Sequence, residues 1–164
     1  MDSETQARDT ARLLVNLAED GELRTVSETV RTMTEPGHRM RLGLMLRQLL
    51  SASATMIRKQ VGAAGDSDAI VLDLRKPDGS VVDINALAPE VRAVVRALLA
   101  ELYGHPDDLT DQISFALRGR PEGLIDGITV ILMWTVSALA WCEDNDEPAP
   151  NWLTTSVECE RKTS

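Results

Sequence analysis

The chain has 164 residues and a formal net charge of −9, with 43% hydrophobic and 26% charged residues. This size and balance predict one globular domain with a sizeable core, and the acidic charge disfavours general adhesion to nucleic acid. Only 3% of the residues are aromatic, so we expect an aliphatic core and no stacking platform for bases or sugars. Two cysteines without CxxC spacing predict neither a zinc site nor a disulfide framework. Since the polar N-terminus lacks a signal-peptide pattern, the predicted setting is the cytoplasm.

The first half of the chain predicts three helices, from apolar residues at helical spacing. The first begins at Ser3, which forms a capping box with Gln6, and ends at Gly21. A shorter second helix covers residues 23–33. A break that contains proline and glycine then starts the third and longest helix, at about 36–61.

The third helix carries the basic part of an acidic protein. Residues 24–60 have a net charge of +5, from seven basic and two acidic residues. One side of the helix is apolar and the other is basic, but two apolar residues interrupt the basic side. We therefore expect another element or a partner chain to cover its N-terminal half. The basic side chains are expected to be solvated, or paired with the acidic C-terminal segment of the same molecule or of a second copy, with a protein partner or nucleic acid as alternatives. The candidate partner-binding face consists of Arg39, Met40, Arg41, Leu44, Arg47, Arg58 and Lys59.

Residues 69–85 carry the chain's one convincing β pattern. Apolar residues alternate with polar ones on both sides of Pro77-Asp78-Gly79, a sequence that favours a tight turn. This pattern predicts a β-hairpin. Because a lone hairpin is marginally stable in water, we expect it to lie on the helices or to pair with another copy.

The second half again predicts three helices. The fourth starts at Pro89 and ends at Gly104, and the fifth runs from about Asp107 to Gly119. The sixth contains an uncharged stretch, 127–142, that is apolar all round, which is typical of a buried core helix or a membrane span. A bilayer needs about 20 apolar residues, and acidic residues flank these 16, so the prediction is a core helix and no membrane.

The two halves resemble each other. Residues 13–17 match 98–102 at an offset of 85, and both halves continue with a short helix, a Pro/Gly break and a long helix. Chance similarity between amphipathic helices is the alternative. The predicted fold is mainly α: a six-helix bundle of two three-helix repeats, at about 3–61 and 89–142, with one β-hairpin between them. It forms a single domain over 1–153, followed by a mobile polar tail over 154–164. We expect the sixth helix to lie inside and the third to lie partly outside.

Catalytic and cofactor-binding patterns are missing from the sequence. His38 and His105 have no partner at a metal-ligand spacing, and Asp107, Asp108 and Asp111 suit the first turns of a helix. We expect no metal and no cofactor.

The predicted function is that of a non-catalytic protein-interaction or regulatory protein of the adaptor type. It has a protein partner, and a homodimer is one form that it could take. One alternative is a nucleic-acid-binding regulator that uses the basic helix 36–61. Another is a small helical enzyme or ligand-binding bundle with a site at Asp107, Asp108 or His105.

Overall fold

The computed structural model describes residues 2–63 and 86–154, which form an all-α bundle. The elements are α1 (Ser3–Glu19), α2 (Leu23–Met33), a 3-10 helix (Pro36–His38), α3 (Arg39–Ala63), α4 (Pro89–Tyr103), α5 (Pro106–Arg118), α6 (Pro121–Asp144) and α7 (Asn151–Thr154). The six predicted helices are confirmed.

The fold class needs a correction, because it included a β-hairpin. The described residues contain seven α-helices and no strand. Residues 69–85, where the hairpin was predicted, lie outside the described part of the chain. Turn chemistry and alternation are local signals, and a two-stranded hairpin is too weak a unit to define a fold class by itself.

Helix ends were predicted well where glycine ends the helix. Gly104 follows α4 with φ 73°, and Gly21 follows α1 with φ 75°, both in the left-handed region that glycine favours. The predicted capping box at Ser3 is wrong by one residue. Asp2 is the N-cap of α1, and its Oδ1 accepts a 2.6 Å hydrogen bond from the backbone N–H of Thr5.

The short helix α7 was missed. The sequence places its residues at the end of the domain, where four residues are too few to show helical periodicity. In the structure Leu153 is buried, α7 packs on α1, and the guanidinium of Arg8 lies 5.8 Å from the ring centroid of Trp152. These long-range contacts add α7 to the core. The predicted tail lies outside the described residues, apart from Thr154.

The two longest helices, α3 and α6, share the centre of the bundle. Helices α1, α2 and α4 each pack on both of them, and α5 packs on α3 and α4. Each long helix has 11 buried residues. Helix α6 thus lies in the core, and α3 lies partly outside, as expected, but the expected difference in burial between the two helices is not observed. Helix α6 keeps an outward strip, with Asp126, Met133 and Ala140 exposed along it.

By length and composition α6 could cross a membrane. Its most apolar window has a mean hydropathy of 1.7, and 56% of that window is buried inside the structure. Ile128, Ile131 and Leu132 have no exposed surface. In this bundle the predicted assignment of α6 to the core is confirmed.

The packing of the two halves corresponds. Helix α1 lies on α3 as α4 lies on α6, and the crossed pairs α1 with α6 and α4 with α3 are also in contact. This arrangement suits two repeats about a pseudo-twofold axis, and the duplication itself stays a prediction.

A pair of buried hydroxyl groups joins α3 to α6. Ser53 Oγ lies 2.6 Å from Thr135 Oγ1, and neither residue has exposed surface. Each hydroxyl also lies within 2.8 Å of a carbonyl oxygen in its own helix, that of Leu49 or Ile131. Two hydroxyl protons cannot satisfy three hydrogen bonds at once, so one helix carbonyl gives up its bond whenever the two hydroxyls bond to each other.

We expect Ser53→Ala and Thr135→Val each to lower the free energy of unfolding by about 1 kcal/mol, the usual net contribution of a hydrogen bond. The double variant should lose less than the two single losses together, by about 0.5–1.5 kcal/mol, because the shared bond is lost only once. Urea unfolding of the four proteins measures this coupling. If the single losses simply add, the contact between the hydroxyls does not stabilise the fold.

A carboxylate from α4 holds the start of α6. The Glu90 side chain is 6% exposed, and its Oε1 accepts a 2.9 Å hydrogen bond from the backbone N–H of Arg120, the N-cap residue of α6. Two glycines make room for it: a Cβ on Gly119 or Gly123 would lie 2.3 Å from a Glu90 atom. Glu90 thus caps α6 from another helix. Its Oε2 is buried without a hydrogen-bond partner among the described residues.

The hydrogen bond from the Arg120 N–H lowers the pKa of Glu90 below its ordinary value, which is about 4.3. A carboxylate with a lowered pKa in the folded state stabilises the protein at pH values above its ordinary pKa. This stabilisation is lost as the pH falls through the folded-state pKa. We expect Glu90→Gln to reduce the free energy of unfolding by about 1 kcal/mol or more near neutral pH, and the reduction to shrink in acid.

Urea unfolding tests the expectation when it is measured at neutral pH and in acid, above and below the ordinary pKa of a glutamate. Glu28→Gln, at an exposed position of α2, is the control for the general effect of removing a carboxylate. A reduction for Glu90→Gln that stays constant with pH would contradict the proposed role of the ionised carboxylate.

Candidate functional site

Most of the basic side chains of the predicted partner-binding face donate hydrogen bonds to other parts of the same molecule. The face therefore separates into a structural part and a part that is open to a partner. Arg39 donates a 3.0 Å hydrogen bond to the carbonyl of Leu117, at the end of α5. Arg58 donates to the carbonyls of Glu101 and Leu102, at 2.5 and 3.3 Å, at the end of α4. The last carbonyls of a helix lack intrahelical partners and carry partial negative charge. These two arginines therefore cap the helices of the second half.

Two further cations of the face also reach neighbouring elements. Arg47 Nη2 donates to Thr110 Oγ1 of α5 at 2.8 Å. Lys59 Nζ donates to the carbonyl of Pro148, in the loop after α6. Four of the five predicted basic residues thus hold α3 to the elements around it. Pairing within the molecule was one of the expectations, but the sequence could not identify the partners, which are carbonyls and a hydroxyl 43 to 89 residues away along the chain rather than acidic side chains.

The remaining members of the face, Met40, Arg41 and Leu44, lie together at the start of α3. Met40 is 82% exposed, the highest value among the large apolar residues that are described as exposed. Arg41 is exposed, and no hydrogen bond or ion pair ties it to the described part of the chain. Leu44 is half-buried behind them. An apolar anchor and an uncommitted cation side by side are the parts of a binding surface.

These three residues form one wall of a groove of about 540 Å³ between α1 and α3. The opposite wall comes from α1, where Ala7 is buried and Gln6 is exposed. Sequence reasoning missed this wall, although residues 6 and 10 share the helix face next to the apolar stripe of α1. The α1–α3 groove is lined by Ser3, Gln6, Ala7, Asp9, Thr10, Gly37, Met40, Arg41 and Leu44.

A second groove, of about 390 Å³, lies between α4 and α5, and the sequence analysis did not propose it as a site. Three arginines, Arg92, Arg96 and Arg118, line it together with Phe115, the single phenylalanine of the chain. The available signal was the pair of arginines four residues apart on the outer face of α4. The α4–α5 groove is lined by Pro89, Arg92, Ala93, Arg96, Asp111, Gln112, Ser114, Phe115 and Arg118.

The structure brings His105 and Asp108 to the same depression, but it does not gather the other histidine and aspartates there. His38 is the last residue of the 3-10 helix between α2 and α3. His105 and Asp108 line a depression of about 310 Å³ that is next to the α4–α5 groove and shares Arg96 and Gln112 with it. Asp107 is exposed, and Asp111 lies in the α4–α5 groove itself. Within residues 2–63 and 86–154, no three His, Cys, Asp or Glu side chains are placed to hold a metal ion.

Cys142 lies in the core, 1% exposed, on the last turns of α6. Burial raises the pKa of its thiol, and Glu147 raises the pKa further, whereas Lys59 acts in the opposite direction. Cys142 is thus a small buried thiol of the core. A protonated, buried thiol is a poor nucleophile.

Comparisons of the chain with protein-family models, with curated proteins and with solved structures find no match.

Arg39 and Arg41 provide a matched test of which cations support the fold. We expect Arg39→Gln to lower the free energy of unfolding by about 1 kcal/mol, because it leaves the carbonyl of Leu117 without its charged donor. Arg41→Gln should change the stability by less than about 0.5 kcal/mol, as exposed substitutions usually do. Urea unfolding of the two variants measures both values. Equal losses would contradict the division of the face into structural and uncommitted cations.

Proposed function

We propose that this protein is a non-catalytic, adaptor-type interaction protein that binds an amphipathic helix of a protein partner in the α1–α3 groove. The observation that carries the proposal is Met40, which stands 82% exposed beside the uncommitted Arg41. A groove between two helices is a common receptor for a third helix, which inserts apolar side chains at helical spacing. Exposed methionine suits such a surface because its flexible, polarisable side chain adapts to the partner.

The charges of the groove define the partner more closely. Two charged residues line the groove: Asp9 forms a 3.3 Å ion pair with Arg12, whereas Arg41 has no ion pair within the described residues. Arg41 can therefore bind a carboxylate beside the apolar anchors of the incoming helix, and Gln6 and Thr10 on the opposite wall offer hydrogen-bonding groups. We therefore expect an acidic amphipathic helix. A second copy of this chain is one source of such a helix, since the chain has 26 acidic residues against 17 basic ones, and it would make the protein a homodimer.

The alternative of nucleic-acid binding by α3 has less support. It needs several cations free to meet phosphates along one helix. Arg39, Arg47, Arg58 and Lys59 instead donate hydrogen bonds within the molecule, which leaves Arg41 as the uncommitted cation of that face.

Site-specific photo-crosslinking tests the proposal. A benzophenone side chain placed at Met40 should give one discrete adduct in cells, and the captured peptide should be an amphipathic helix with an acidic residue. Arg41→Glu should weaken the interaction at least about tenfold, because it places like charges together. Crosslinking of the purified protein to itself, with a mass that rises with concentration in sedimentation, would identify the partner as a second copy.

Two matched controls make the result specific. The same benzophenone at Thr55, an exposed position on α3 away from the groove, should give no such adduct, and Arg24→Glu, at an exposed position of α2, should leave binding unchanged. No adduct at Met40, or equal yields at Met40 and Thr55, would count against the groove as the binding site.

A further inference from the structure

We propose that the α4–α5 groove is a binding site for a phosphate monoester that carries a flat apolar group. This site is separate from the α1–α3 groove and concerns a ligand of a different class. Three arginines would hold the phosphate, and Phe115 would contact the apolar group. The proposal rests on the charges of this groove, on its size and on the exposed aromatic ring.

The arginines of this groove are not used by the fold. Arg92 and Arg96 are four residues apart on α4 and therefore lie on the same face of the helix, where two like charges destabilise it. No hydrogen bond or ion pair ties either of them to the described part of the chain. Arg118 uses only its Nε, in a 3.3 Å hydrogen bond to the carbonyl of Ser114 in its own helix. Within the described residues, an acidic protein thus leaves three guanidinium groups without a carboxylate at ion-pair distance.

The charge of the groove matches a dianion. Three arginines and Asp111 give the lining a formal charge of +2, while a phosphate monoester carries a charge of about −1.5 to −2 near neutral pH. Planar guanidinium groups bind phosphate oxygens through paired hydrogen bonds. At its Pro89 end the groove meets the buried Glu90, so the phosphate is expected nearer to Arg92 and Arg96.

The shape and the aromatic ring favour a small organic ligand. The volume of about 390 Å³ falls within the range of small-molecule sites, about 300–1,000 Å³. Phe115 is 49% exposed at the edge of the groove. An exposed ring next to cations favours a ligand that has an apolar, preferably flat, group beside its phosphate. An acidic peptide could also meet the arginines, and the test below separates the two.

Titrations followed by ¹⁵N NMR test the site with three small probes. Phenyl phosphate has both the dianion and the ring, inorganic phosphate lacks the ring, and benzoate lacks the dianion. We expect phenyl phosphate to bind about tenfold more tightly than either of the others, a difference of about 1.4 kcal/mol. The largest shift changes should fall on α4 and α5, around Arg96 and Phe115.

Variants assign the contacts. Arg96→Gln, at an exposed position, should weaken phenyl phosphate binding about tenfold, and Arg118→Gln gives a second, independent variant of the same kind. Arg24→Gln, an exposed arginine on α2, should leave it unchanged. Phe115→Ala should abolish the preference for phenyl phosphate over inorganic phosphate.

Several results would overturn the proposal. The first is chemical-shift changes that fall outside α4 and α5. The second is an equal effect of Arg24→Gln and Arg96→Gln on the binding of phenyl phosphate, and the third is the absence of saturable binding of phenyl phosphate. Tighter binding of a hexaglutamate peptide than of phenyl phosphate would assign the groove to an acidic protein segment instead.

Discussion

The contact between α3 and α6 is the constraint on which the rest of the bundle depends. Every other helix of the two halves packs on one or both of them, so their register decides where each surface groove lies. Aliphatic side chains supply most of the contact, and their burial is favourable without being directional. The buried hydroxyls of Ser53 and Thr135 come within 2.6 Å of each other at one register only. A shift would break this contact, although each hydroxyl would keep the carbonyl of its own helix as a partner.

The basic charge of α3 is explained by helix ends rather than by acidic side chains. Arg39 and Arg58 reach the final carbonyls of α5 and α4, and each forms a charge-assisted bond where a helix is short of donors. The opposite need, at the start of α6, is met by the carboxylate of Glu90. The C-terminal ends of α4 and α5 and the start of α6 are therefore capped by side chains of other helices, which joins local helix stability to tertiary packing.

How much the sequence could predict follows from the range of each interaction. The helices repeat their apolar residues every three or four positions, and Gly21 and Gly104 mark ends by their own backbone preference. These signals are local, and they were interpreted correctly. The roles of Arg39 and Arg58, the equal burial of α3 and α6, and the helix α7 depend on partners far along the chain. Of the predicted face, the part at Met40, Arg41 and Leu44 lines a groove, and its second wall on α1 was not foreseen.

The cations that remain after this division are informative because the protein is acidic. The chain has 26 acidic residues against 17 basic ones. Carboxylates are therefore numerous enough for every arginine to have an acidic partner. Arg41, Arg92 and Arg96 nevertheless have none within the described chain, and all three line grooves. Exposed ion pairs contribute little to stability, so the fold loses little by leaving these cations unpaired. What they retain is the capacity to bind an anion from outside, a carboxylate beside Met40 in one groove and a phosphate beside Phe115 in the other.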